Sequence, residues 1–220
     1  MTIKAIINFL KSLIEVLSQV GQDSETPKPN ASNKAVIGII VGHTKAKGGA
    51  GLHGGGNEYG YNSDIARRCK EYADRDLKNL LTTHIIYRDG IGIRGAYKKA
   101  TALKCDVVIE LHFNAFNKKV AGTETLVATG EDNKTFGRFV HREICRVFDR
   151  NGDSRGVKVL SRSANGGLNV YSFPSGPNCL VEPFFGDNPD EAVQAQKVKQ
   201  AYAAGLIEAC IDYFEDRGIL

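Results

Sequence analysis

The sequence predicts an α/β fold: a three-layer sandwich with a twisted, mostly parallel central sheet flanked by helices, preceded by an amphipathic helix on a flexible tether. Three observations carry this reading. The runs Ala35–Val41 and Val107–Leu111 are rich in Val and Ile, too short for helices and too uniformly apolar for strands with one wet face, so they read as strands covered on both sides. Such runs alternate with segments whose apolar residues recur every three or four positions, the pattern of helices crossing between parallel strands. The chain of 220 residues is long enough for one substantial core, and nothing in it approaches the ~18 consecutive apolar residues of a membrane span.

The elements follow in order. Ile3, Ile6, Ile7, Leu10, Leu13, Ile14, Leu17 and Val20 form one stripe, which predicts an amphipathic helix over 1–20. Residues 21–34 are polar and contain Pro27 and Pro29, so they read as a linker, and the catalytic domain is expected over 35–220. The helix must cover its stripe in cis, on a partner chain or at a membrane surface, though membrane-surface helices usually carry more Lys and Arg. The first strand leads into Gly42-His43-Thr44, and a glycine-rich loop over 45–56 follows. Asn57 is a suitable cap for a helix that opens with Glu58 and carries Tyr61, Ile65, Cys69 and Tyr72 on one face.

A strand over 82–87, the turn Arg88-Asp89-Gly90 and a helix over 91–103 containing Arg94 lead into the strand that delivers His112. Residues 123–129 alternate and suit a half-exposed strand. Phe136, Phe139, Val140, Ile144, Val147 and Phe148 mark another helix. Residues 149–167 read as loop with a short extended piece near Arg155-Gly156-Val157-Lys158. Cys179-Leu180-Val181 is a brief strand ending at Glu182-Pro183, and Asn188-Pro189-Asp190-Glu191 starts a final helix, with a cap, a proline at its first position and acids in its first turn.

Composition excludes some functions. A net charge of +4 without a clustered basic stripe gives no reason to expect nucleic acid as a partner. The five cysteines are odd in number, none stands in a C-x-x-C pair, and most have apolar neighbours, so they read as reduced core residues. Asn8, Lys11 and Glu15 interrupt the apolar N-terminal stretch, which argues against a secretory signal peptide and for synthesis in the cytoplasm.

Chemistry is concentrated at strand ends. In open α/β sheets ligands bind beyond the carboxyl ends of the strands, where His43, His112 and Glu182 lie, with Glu58 at a helix start facing the same edge. Two imidazoles and a carboxylate are a common catalytic zinc set with its fourth position open, and a further carboxylate that is not a ligand can move protons. Each residue also has an ordinary reading: a core histidine, or a Glu that favours the helix dipole. His53 is a rival ligand in the same loop, and His84 and His141 read as core or surface residues.

From 36 to 214 the chain resembles the zinc-dependent N-acetylmuramoyl-L-alanine amidases of the amidase-3 type, which cut between the muramyl lactyl group and the first L-alanine of peptidoglycan stem peptides. The resemblance lies in Gly42-His43; in Glu58 with Asn62 and Ile65; in Arg88-Asp89 and Arg94; and in His112-Phe113-Asn114-Ala115. It continues through Gly122-Thr123-Glu124-Thr125, Arg155-Gly156-Val157-Lys158 and Glu182 with Asn188-Pro189-Asp190-Glu191. It implies one zinc ion per chain held by His43, Glu58 and His112, with Glu182 as catalytic acid/base, Asn114 and Arg94 toward the substrate, and peptidoglycan as the partner. The chain departs from the family where Ile40-Val41-Gly42-His43-Thr44-Lys45 replaces Asp-Pro-Gly-His-Gly-Gly, and where Glu182-Pro183-Phe184-Phe185 replaces Glu-Leu-Gly-Phe. The expected function is cell-wall hydrolysis, in the setting of a phage-type lysis enzyme acting on the wall in the periplasm or outside the cell. The alternatives are a zinc carboxypeptidase of wall peptides, with Arg94 or Arg155 holding a terminal carboxylate, and a wall-binding or regulatory module of the same fold without catalysis.

Overall fold

Six strands form a single sheet in the computed structural model, which describes residues 34–150, 152 and 154–220. The helix expected over 1–20 and the tether up to Lys34 fall outside the described residues, apart from Lys34 itself. The strands are β1 (Ala35–Val41), β2 (Leu81–Tyr87), β3 (Val107–Leu111), β4 (Thr123–Val127), β5 (Ser154–Val159) and β6 (Asn178–Glu182). The helices are α1 (Glu58–Asp76), α2 (Gly92–Ala102), α3 (Glu131–Val147), α4 (Gly167–Val170) and α5 (Pro189–Asp216). The strand order is β2-β1-β3-β6-β4-β5, parallel throughout except between β4 and β6.

The alternation of side chains along each strand sorts the two faces. Ile37, Ile39 and Val41 of β1 and Val107, Ile109 and Leu111 of β3 pack with α1 and α5, while Ile40 and Val108 point the other way onto α2. Ile65 of α1 is fully buried against the first face, and its truncation to Ala would remove ~2–5 kcal/mol. Both expected helix starts form as read. Asn57 accepts a hydrogen bond from the Gly60 N–H at 2.9 Å, and Asn188 accepts from the Asp190 N–H at 3.0 Å with Pro189 at the first position.

Two local expectations are corrected. Strand β4 is buried along its whole length, because α3 covers one face and on the other Val170 of α4 packs on Leu126 and its β6 neighbour Leu180; its alternation is of polar and apolar residues inside the core. The segment with Arg155 is a full edge strand paired in parallel to β4, longer than the short extended piece expected there, and a short helix, α4, follows it in a stretch to which the sequence reading gave no element. The reversal of β4 also matters for the site. After β3 the chain turns at the sheet edge and enters β4 there, so Thr123 and Glu124 sit beside the carboxyl ends of β3 and β6.

Candidate active site

His43 follows β1 directly and holds φ at 62°, a left-handed conformation uncommon outside glycine and concentrated at functional sites. Gly42 lets the chain pass close to β3: a Cβ there would lie 2.4 Å from the Leu111 carbonyl oxygen and 2.6 Å from the His112 ring. The loop after His43 is pinned by the Lys47 and Gly48 N–H groups donating to the Thr44 carbonyl and by the Lys45 N–H donating to Asp89 at 2.8 Å, so Thr44 and Lys45 are accommodated where the family has two glycines. Gly49 brings this loop against α1. A Cβ at 49 would meet the Glu58 carboxylate at 2.6 Å and the His43 ring at 2.7 Å.

Glu58 is the centre of the cluster. Its Oε2 lies 3.0 Å from His43 Nε2 and its Oε1 2.7 Å from His112 Nδ1, while the Phe113 N–H donates to Oε1 at 3.1 Å. One donor atom from each of His43, Glu58 and His112 falls within 4.8 Å of the others, and no second such cluster exists among the described residues. This donor set fits a four-coordinate cation with an open position, and the two glycines leave no room for side chains on the backbone that cradles it. His53 is exposed and stands outside the cluster, His141 bonds Thr125 and Ser154 on the far helix, and His84 sits within β2.

Behind His112 stands a residue that reading the sequence passes over. Glu110 is fully buried, with its Oε1 3.3 Å from His112 Nε2 and accepting from Arg88 Nη1 at 2.8 Å. Its Oε2 accepts from the Tyr97 hydroxyl at 2.7 Å and from Asn169 Nδ2 at 2.9 Å. The available signal was a lone acid in an otherwise apolar strand, two residues before a histidine and therefore on the same face.

Glu182 ends β6 with its Oε2 buried and without a hydrogen-bond partner among the described residues. Glu124 is its register partner on β4, and there the carboxylate is fully engaged: it accepts from Asn114 Nδ2 at 2.9 Å, from Arg155 Nε at 3.0 Å and from Lys158. Asn114 therefore stands at the site edge with its amide N–H committed to Glu124. The turn beyond Glu182 is held from α5. Glu191 pairs with Arg150 and accepts the N–H groups of Phe185 at 2.8 Å and Gly122 at 3.2 Å, which gives the Asn-Pro-x-Glu run a positioning role beyond starting the helix. Pro183 and Phe184 fill the core side of this turn, with Phe184 against Tyr61, Phe113 and Phe148.

The electrostatics follow from these contacts. Burial alone would push the Glu58 carboxyl up, but hydrogen bonds and charge from His112 and His43 outweigh it and hold it at about 2. Burial works against the His112 imidazolium, yet Glu110 and Glu58 raise its pKa to about 10. Glu182 goes the other way: burial, reinforced by the charges of Glu58, Glu124 and Glu110 and opposed by His112, pushes it up to about 8. A carboxyl held near neutrality close to the cluster of His43, Glu58 and His112 is suited to taking up and releasing a proton.

Arg94 lies elsewhere. With Lys98, Arg162, Tyr171 and Ser172 it lines a groove of about 600 Å³ between α2 and α4 that includes none of the cluster residues. Cys69, Cys105, Cys179 and Cys210 are buried thiols, and Cys145 is half-buried with its sulfur beside His141. No described helix is long and apolar enough to cross a membrane.

The comparisons with known proteins agree with this architecture. Residues 37–212 match the amidase-3 family, described as N-acetylmuramoyl-L-alanine amidase. No curated protein matches the chain. Among solved structures, the N-acetylmuramoyl-L-alanine amidase from Clostridium difficile 630 is similar at a TM-score of 0.72 and 20% identity, over 84% of this chain and 98% of that one. The catalytic domain of CwlV, an N-acetylmuramoyl-L-alanine amidase from Bacillus (Paenibacillus) polymyxa var. colistinus, gives 0.71 and 20% over 82% and 98%. The catalytic domain of the CD27L endolysin targeting Clostridia difficile gives 0.59 and 23% over 81% and 97%. With the family match spanning nearly the whole sheet and its crossing helices, the chain belongs to the N-acetylmuramoyl-L-alanine amidase family and is a peptidoglycan amidase.

Proposed function

We propose that this amidase is zinc-dependent, that His43, Glu58 and His112 hold one zinc ion, and that Glu182 is the catalytic acid/base for cleavage between N-acetylmuramic acid and L-alanine. The observation that carries the reading is the cluster of three donor side chains, with a carboxyl of raised pKa and an unpartnered oxygen at the neighbouring strand end. When bound, zinc supplies a Lewis acid for the amide carbonyl and makes water acidic enough to attack near neutral pH. Glu182 accepts the proton that the attacking water gives up and delivers it to the alanine nitrogen, so the C–N bond breaks with release of a neutral amine. Pro183 stiffens the turn that carries Glu182, and Glu191 accepts the Phe185 N–H two residues further on, so the carboxyl keeps its place at the edge.

On the substrate side, Asn114 keeps its carbonyl oxygen for a donor of the substrate, because its Nδ2 is bonded to Glu124. Arg94, in its groove with Lys98 and Arg162, meets an anionic part of the wall such as a stem-peptide carboxylate. The biological setting we propose is lysis, with the wall attacked from the periplasm or from outside the cell. The deciding experiment is digestion of purified peptidoglycan with product masses: free stem peptides with N-terminal alanine are expected. Shortened peptides still joined to muramic acid would mean a carboxypeptidase, and no products from a zinc-loaded protein would mean a binding module.

A further inference from the structure

We propose that Glu110 is a positioning residue for His112, holding its ring in the tautomer with hydrogen on Nε2 so that Nδ1 presents the lone pair to the metal. The inference rests on the zinc reading above and adds to it a requirement on a residue outside the ligand set.

The hydrogen-bond count around Glu110 carries the argument. An ionised carboxylate offers about four acceptor positions and no donor. Arg88 Nη1 and Asn169 Nδ2 can only donate, at 2.8 and 2.9 Å. The Tyr97 hydroxyl lies 2.7 Å away and has Asn178 Nδ2 at 3.3 Å as its own donor, so its hydrogen goes to Glu110. The fourth neighbour is His112 Nε2, at 3.3 Å from Oε1. A bare Nε2 would set its lone pair against a carboxylate that has no hydrogen to give, so Nε2 carries the hydrogen. Nδ1 faces a carboxylate in the same way, that of Glu58 at 2.7 Å, so without a metal both nitrogens carry hydrogen. A cation in the donor cluster would displace the hydrogen of Nδ1 and leave the one on Nε2, held by Glu110.

The placement is built rather than incidental. Arg88 leaves the end of β2, Tyr97 lies on α2 and Asn169 on α4, so three separate elements hold one carboxylate that has no exposure to solvent. Gly42 also approaches this edge of the ring, so close that a Cβ would lie 2.6 Å from His112 Nε2 and Cε1, which leaves the imidazole little room to turn away from Glu110. A buried ion pair such as Arg88–Glu110 adds little net stability, because desolvation offsets the attraction, so stability alone is a poor reason for it. Metal-binding histidines characteristically give their second N–H to a carboxylate, which fixes the tautomer and makes the ligating nitrogen more basic.

The test measures zinc affinity of the full chain by chelator competition, for wild type and Glu110→Gln, together with nitrogen-15 NMR of His112 in the zinc-loaded wild type. The expected result is an affinity loss of about 10–100-fold in Glu110→Gln, with wild-type His112 bound through Nδ1 and protonated on Nε2. A folded Glu110→Gln protein that binds zinc as tightly as wild type would overturn the proposal, and so would His112 bound through Nε2. If Glu110→Gln does not fold, the wild-type NMR spectrum decides alone. Wild type that binds no zinc would instead bring down the zinc reading, and this inference with it.

Discussion

Glu124 and Glu182 are register partners across the antiparallel β4–β6 pair, two acids on one face of the sheet with opposite electrostatic fates. Glu124 is buried, which alone would raise its pKa, but Lys158, Asn114 and Arg155 hold it below the usual carboxylate range. At Glu182 burial outweighs the one opposing charge, that of His112, and pushes the carboxyl up to about 8. Like charges directly opposite one another destabilise a ladder, so the pair persists by keeping one member ionised and the other protonated over much of the pH range.

The first consequence is catalytic. Glu182→Gln keeps the size and polarity of the side chain but removes its ability to take a proton. We expect retained folding and retained zinc with a rate loss of at least ~10²-fold, measured as release of stem peptides from purified walls. Near wild-type turnover by a folded, zinc-loaded variant would exclude the assigned role.

The second concerns stability against pH in the metal-free protein. An acid whose pKa is raised on folding costs nothing while both states are protonated, below the ordinary value of 4.5, and costs progressively more as the pH rises toward 8. Wild type should therefore lose roughly 2–4 kcal/mol relative to Glu182→Gln between those limits. Denaturant unfolding of both proteins at acid and neutral pH measures the difference, and parallel stability profiles would contradict the raised pKa.

The third tests the grip on His112. Gly42→Ala would place a Cβ 2.4 Å from the Leu111 carbonyl oxygen and against the imidazole. A stability loss of ~1–3 kcal/mol is expected, as for other overpacked positions, together with weakened zinc binding because the ring must move. Thermal unfolding and metal content of the purified variant check both parts, and an unperturbed zinc content would show that the ring has room to shift.

The fourth separates the two histidines of the first loop. His43→Ala and His112→Ala should each lose zinc, since two remaining donors hold it poorly. His53→Ala should keep it, because His53 is exposed and lies outside the donor cluster. Zinc lost from His53→Ala and kept by His43→Ala would reverse the assignment.

The fifth concerns the appendage expected over 1–20. A protein beginning at Lys34 should fold, because the sheet and its covering helices all lie within Lys34–Leu220. Circular dichroism and cooperative unfolding would check this. A chain that failed to fold would make the first helix part of the core.

Much of the architecture is legible in the sequence because burial on both faces imposes local patterns: uniform Val and Ile in β1 and β3, helical spacing in α1 and α3, and capping residues at Asn57 and Asn188. Those patterns also delivered His43, Glu58, His112 and Glu182 to one edge, since the carboxyl end of a strand and the start of the next helix are both local features. Direction and pairing are not local. That β4 runs against β6, which brings Glu124 opposite Glu182 and Arg155 to the same edge, depends on where the chain re-enters the sheet, and the short-range pattern of 123–129 reads the same either way. Glu110 was hidden for a related reason. One acid in an apolar strand has no meaning until Arg88, Tyr97 and Asn169 arrive from three other elements, because a buried charge is tolerated only with partners, and partners distant in sequence are supplied by tertiary structure alone.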